Sequence, residues 1–100
     1  MKGIVFGATL NSARNKLEKI RAEYESFWKI NIEKVISYHN EYTIIFSNGD
    51  IWRCAEANGF SSRGRRCNIA LIDKNIPKEV VSSIILPCII NYPYGAVGYY

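Results

Sequence analysis

Two short runs of the chain, Ile4-Val5-Phe6 and Ile69-Ala70-Leu71-Ile72, are apolar at every position instead of every second one. A strand with one wet face alternates apolar and polar residues, so an unbroken run implies cover on both faces, the pattern of strands inside a parallel sheet. The first run is bounded by Lys2 and Gly7, the second by Asn68 and Asp73. Each is the natural parallel neighbour of the other, and covering such a pair takes helices, which points to an α/β fold.

The intervening sequence supplies those helices and an edge to the sheet. After Gly7-Ala8-Thr9-Leu10 a helix is expected to open at Asn11 or Ser12, both good caps. Leu17, Ile20, Tyr24, Phe27 and Trp28 then recur at helical spacing, opposite Arg14, Lys16, Glu18, Lys19, Arg21, Glu23 and Glu25. The aromatic part of that stripe is expected to cover the sheet. Glu33 to Tyr38, Tyr42 to Ser47 and Asp50 to Ala55 predict an antiparallel meander, and Asn48-Gly49 is a hairpin signal whose two central positions would both need positive φ. Pro77 suits the first turn of a second helix that buries Val80, Val81, Ile84 and Ile85 and stops at Pro87. The tail, Asn91 to Tyr100, predicts either a last edge strand or an apolar surface for self-association.

Bulk properties set limits on function. One hundred residues at 48% hydrophobic make one domain, residues 1–100, near the lower size for a self-sufficient core, so a homo-oligomer is a live expectation. Thirteen basic against nine acidic residues give a net charge of +4, which suits an acidic partner and is also common on ordinary surfaces. Ile4-Val5-Phe6 is too short for a signal peptide or a membrane span, so no membrane partner and a cytoplasmic location are expected. Three cysteines, Cys54, Cys67 and Cys88, form no CxxC pair, and His39 is the only histidine. Neither a disulfide framework, a zinc site nor a catalytic triad is indicated, and no cofactor is expected.

Two features bear on a site. Strand, Gly7, loop and helix is the arrangement that holds phosphate on backbone amides at a helix N-terminus. Against the phosphate-loop pattern G-x-x-x-x-G-K-[ST], however, Ser12, Ala13 and Arg14 stand where Gly, Lys and Ser or Thr belong. Ile69 to Asp73 forms an apolar strand ending in Asp, but Lys74 stands where a catalytic acid should follow. The second feature is Ser61 to Arg66, "SSRGRR", three guanidiniums in four residues within the loop between Glu56 and Arg66, which is either a phosphate-binding patch or a solvated basic loop.

Taken in order, the Gly-ended strand and helix, "YTIIFSNGDIWRCAEA", "SSRGRRCNIALIDKN" and "IPKEVVSSIILPCI" resemble the ATPase half of a bacteriophage large terminase over residues 3 to 90, compressed from a longer domain. The resemblance implies a small mixed sheet with an antiparallel meander, two covering helices and a degenerate P-loop-like core, with strands Lys2 to Gly7 and Asn68 to Asp73 adjacent or nearly so. It does not carry hydrolysis over, because the lysine and the acid are both missing, nor DNA cleavage, because the nuclease half is absent. The expectation is a non-catalytic phage protein, in the host bacterial cytosol, that binds a nucleotide or nucleic acid or blocks a host defence protein. Gly7, Thr9, Asn11 and Ser12 with Arg63, Arg65 and Arg66 would hold the ligand. In the alternative, a protein-binding module or a DNA-packaging accessory, Phe60, Tyr92, Tyr94, Tyr99 and Tyr100 would be interface anchors. A remnant with no selected function is the third possibility.

Overall fold

The structure, a computed structural model, describes residues 1–38, 41–57, 66–90 and 96–100. In chain order its elements are β1 (Lys2–Gly7), α1 (Leu10–Ser26), β2 (Ile32–Tyr38), β3 (Glu41–Phe46), β4 (Ile51–Glu56), β5 (Ile69–Ile72), α2 (Lys78–Val80) and β6 (Ala96–Tyr99). The six strands form one sheet in the order β2-β3-β4-β1-β5-β6. β1 runs parallel to both β4 and β5, β5 parallel to β6, and β2-β3-β4 is the antiparallel meander at one side.

The two unbroken apolar runs are direct neighbours, Gly3 opposite Ile69 through Phe6 opposite Ile72. Their side chains divide between two cores. Val5 joins Ala13, Leu17, Ile20 and Tyr24 of α1 with Ile44, Phe46, Trp52 and Cys54, whereas Ile4 and Phe6 join Ala70, Ile72, Ile76, Val81, Ile85, Cys88 and Ile89 on the other face. Five consecutive residues of β1, Gly3 to Gly7, are buried because each face has its own cover. The result is a mixed sheet with a helix on either side.

Four local details differ from the sequence expectations. The cap of α1 is Thr9, whose Oγ1 accepts from Ser12 N at 3.1 Å. Asn11 and Ser12 already lie inside the helix, because β1 turns into it directly after Gly7. A Cβ at Gly7 would stand 2.3 Å from Thr9 O and 2.7 Å from Ala13 N, so the turn accepts only glycine. Phe27 and Trp28 are 83% and 66% exposed and do not cover the sheet. The helix ends at Ser26 and the chain swings away through Lys29 at φ 56°, which takes both rings off the buried stripe.

At Asn48-Gly49 only Gly49 has positive φ, 94°. Phe46 O accepts from Gly49 N and Phe46 N donates to Asp50 O, closing the three-residue loop Ser47-Asn48-Gly49, while Asn48 Oδ1 accepts from Asp50 N. The second helix does not stop at Pro87. It passes from α2 into a widened π turn over Val81–Ile85, in which Leu86 N donates to Val81 O, and then into a 3₁₀ turn, Leu86–Cys88, that contains Pro87. Proline has no N–H to give, so the early position in a tighter turn suits it. Of the tail, Ala96–Tyr99 forms edge strand β6. His39 and Asn40 lie outside the described residues. Among the described residues no helix is long and apolar enough to cross a membrane.

Candidate functional site

Because β4 and β5 lie on opposite sides of β1 and all three run parallel, their carboxyl ends open into the crevice where an open α/β sheet binds ligands. Gly7 ends β1 there, Glu56 ends β4, and Asp73 follows β5. Asp73 is 5% exposed. One carboxylate oxygen accepts from Ala8 N at 3.0 Å and from the Ser12 hydroxyl at 2.9 Å, and the other accepts from Asn75 N at 3.0 Å. The chain's own carboxylate thus sits at the start of α1, where backbone dipoles favour a negative charge. The Asn75 N–H first, then the Ala8 N–H, the Ser12 hydroxyl and the nearby Lys74 ammonium, outweigh burial and hold its pKa below the ordinary carboxylate value.

The residues around it complete the edge. Ala13, at the place of the phosphate-loop lysine, is fully buried in the apolar core. The Arg14 guanidinium lies 4.6 Å from the centre of the Tyr42 ring, occupied with that ring's face. Tyr100 is half-buried, its hydroxyl donating to Phe6 O at 2.9 Å, and its pKa is pushed up to about 12 by burial, with the Asp73 charge adding. Buried Cys54 and Cys67 have thiols pushed up to about 12 and about 11 by desolvation, and burial raises Cys88 as well, so all three stay in the unreactive thiol form.

Of the sequence-predicted site residues, the structure brings Gly7, Thr9 and Ser12 together and places exposed Asn11 beside them on the first turn of α1. Arg66 is elsewhere. It precedes β5, and with Gly3 opposite Ile69 it lies at the amino edge of the sheet, roughly 20 Å along the strand direction from Gly7 at about 3.3 Å per residue. Tyr99 is 62% exposed on β6, whereas Tyr100 turns inward. Phe60, Arg63, Arg65, Tyr92 and Tyr94 lie outside the described residues. Asp73 is the main participant missing from the predicted set; its signal is an apolar run closed by a carboxylate.

Among the described residues, clefts border the sheet at both edges. One, of about 440 Å³, adjoins the carboxyl edge and is lined by Asp73, Lys74, Ile76, Lys78, Val81, Ser82, Leu86 and Tyr99. The other, of about 500 Å³, lies toward the amino edge between α1 and β5, with Ile20, Tyr24, Trp28, Trp52, Ile69 and Leu71 among its walls. Among the described residues no group of three His, Cys, Asp or Glu side chains could hold a metal ion by itself. The Ser12 hydroxyl and the Asp73 carboxylate lie 2.9 Å apart as neighbouring oxygen groups, of the hard-donor type that magnesium takes. Comparison with protein-family models, with curated proteins and with solved structures returns no match, so the site is described by its own geometry.

Proposed function

We propose that the protein is a phage-type nucleotide-binding protein that does not hydrolyse its ligand, with the binding centre at the carboxyl edge. The observation that carries this reading is the Ser12 hydroxyl 2.9 Å from Asp73, at the head of the helix after β1 and at the end of the strand beside it. Phosphate-loop proteins also set a helix-start hydroxyl and a strand-end carboxylate around magnesium, although there the hydroxyl comes two positions later, where this chain has Arg14. In this chain the pair would hold the ion of a magnesium nucleotide. Asp73 already occupies the amide-lined start of α1, so bare phosphate would meet a like charge there, and the cation makes the site suitable for it.

Turnover lacks its groups. Ala13 offers no cation to the phosphates, and Lys74 replaces the acid that would orient water, two contributions each worth orders of magnitude in rate. Sequestration of a nucleotide signal or nucleic acid, as a counter to host defence, is the biological role this suggests; it rests on the terminase resemblance.

Thermal unfolding against mono-, di-, tri- and cyclic nucleotides, with and without magnesium, tests the reading. A ligand at a hundredfold excess over its Kd adds about 3 kcal/mol of apparent stability. A magnesium-dependent rise with at least one nucleotide is expected, and none with any nucleotide sinks the proposal; magnesium-dependent ATP turnover would refute its non-catalytic part. Exposed Phe27 and Trp28 at the end of α1 favour one other reading, a protein-binding module, in which those rings anchor a partner.

A further inference from the structure

The cleft beside Asp73 has a chemistry of its own. Its floor is apolar, from Ile76, Val81 and Leu86, and one wall is the ring of Tyr99. Tyr99 stands opposite Ile72 in the β5–β6 register, which puts it on the face of α2, at the free edge of the sheet. Lys74, Lys78 and Ser82, all exposed, also line it.

The charge balance of this cleft favours the cations. Asp73 contributes one carboxylate against two lysines, and its oxygens are already engaged, one by Ala8 N and the Ser12 hydroxyl at the start of α1 and the other by Asn75 N. Among the described residues, no carboxylate forms a salt bridge with Lys74 or Lys78. A cleft of about 440 Å³ falls within the size range of small-molecule sites. Ser82 lies in the π turn, a widening of helices that recurs at functional sites.

An exposed aromatic face and an apolar floor fit a flat ring, and two ammonium groups with a hydroxyl fit a compact anion. We propose that this cleft binds a mononucleotide, the ring against Tyr99 and the floor, the phosphate on Lys74, Lys78 and Ser82. Lys74 then gains a positive role: the residue that removes the catalytic acid supplies a ligand cation. It shares the ligand class of the nucleotide reading above but is a separate site that needs no metal, which allows the two to fail separately.

Calorimetric titration of the intact chain with adenosine 5′-monophosphate in EDTA is the test, alongside adenosine and ribose 5-phosphate. The monophosphate is expected to bind, both halves to bind at least tenfold more weakly, and Lys78→Glu and Tyr99→Ser each to weaken it at least fivefold. Both positions are exposed, and circular dichroism confirms that the variants fold. Binding of a 5′-phosphorylated oligonucleotide at least tenfold tighter than the monophosphate would overturn the mononucleotide assignment in favour of a strand end. If nucleotide binding requires magnesium and falls with Ser12→Ala but not with Lys78→Glu, this cleft is not the site and the reading above stands. If it persists in EDTA and falls with Lys78→Glu but not with Ser12→Ala, the cleft stands and the magnesium reading falls. Absence of any heat with the monophosphate in EDTA overturns the inference.

Discussion

Two aspartates mark the opposite edges of the same sheet, and they are held in different ways. At the amino edge, Asp50 accepts from the Tyr24 hydroxyl at 2.7 Å and from Asn48 Nδ2 at 3.1 Å, and it lies 3.4 Å from the Met1 amine. Tyr24 in turn accepts from the buried Trp52 indole at 3.0 Å and stacks on Phe46 with ring centres 3.9 Å apart. At the carboxyl edge, Asp73 is held by two backbone N–H groups and one hydroxyl. One Asp50 donor, Tyr24, is rooted in the core, while Asn48 and the Met1 amine are exposed, so that carboxylate staples the chain start and the hairpin loop to the core. The Asp73 donors are two backbone N–H groups and a small hydroxyl, two of the three at the start of α1, so that carboxylate is held locally and not by the aromatic core.

The largest effect expected from breaking this contrast is at the staple. Trp52→Ala should destabilise by about 3–5 kcal/mol, since it empties a large buried volume and leaves Tyr24 without its donor. Urea unfolding measures it. Next comes Asp73→Ala, which removes the acceptor of the Ala8 and Asn75 N–H groups while the Ser12 hydroxyl keeps Thr9 O, and should cost about 2 kcal/mol. Asp50→Asn, at the better hydrated edge and still able to accept from Tyr24, should cost about 1 kcal/mol.

Acid titration sharpens the comparison. For Asp50, burial alone would raise the pKa, but Tyr24, Asn48 and the Met1 amine together hold it below the ordinary value, as the Asn75, Ala8 and Ser12 groups do for Asp73. A carboxylate whose folded pKa is depressed binds fewer protons folded than unfolded. Its contribution is therefore present above the unfolded value of about 3.9 and is lost as pH falls through the lower folded one. Stability should fall from about pH 5 downward in the native chain. Asp73→Asn and Asp50→Asn should each flatten part of that fall, and an unchanged slope in both would contradict the stated hydrogen bonding. The smallest effects lie outside both networks: Thr9→Ala should cost about 1 kcal/mol through the lost cap, and Phe27→Ser less than about 0.5 kcal/mol, because that ring is 83% exposed.

The sequence exposed this architecture unevenly. The neighbouring strands Lys2–Gly7 and Ile69–Ile72 were legible because burial on both faces writes itself directly into an unbroken apolar run. Phe27 and Trp28 continue the period of α1, but period alone does not say where a helix ends, and the turn at Lys29 takes them out of the core. Thr9, Asn11 and Ser12 are all competent caps; the sharp departure from Gly7 selects the first. For Asp73 the carboxylate at a strand end was visible, but its partners Ala8 and Ser12 are 65 and 61 positions away, and only the parallel pairing of β1 with β5 brings them there. The grouping of Arg66 with Gly7 fails for the same topological reason, since the connection from β4 to β5 begins at one edge of the sheet and ends at the other.

The most direct test of the central claim is calorimetric titration of adenosine triphosphate with magnesium into the native chain and into Ser12→Ala. Binding without turnover in the native chain, at least tenfold weaker in Ser12→Ala, is the expected result. Equal affinity in the two chains, or no binding to either, would contradict a magnesium-nucleotide centre at Ser12 and Asp73.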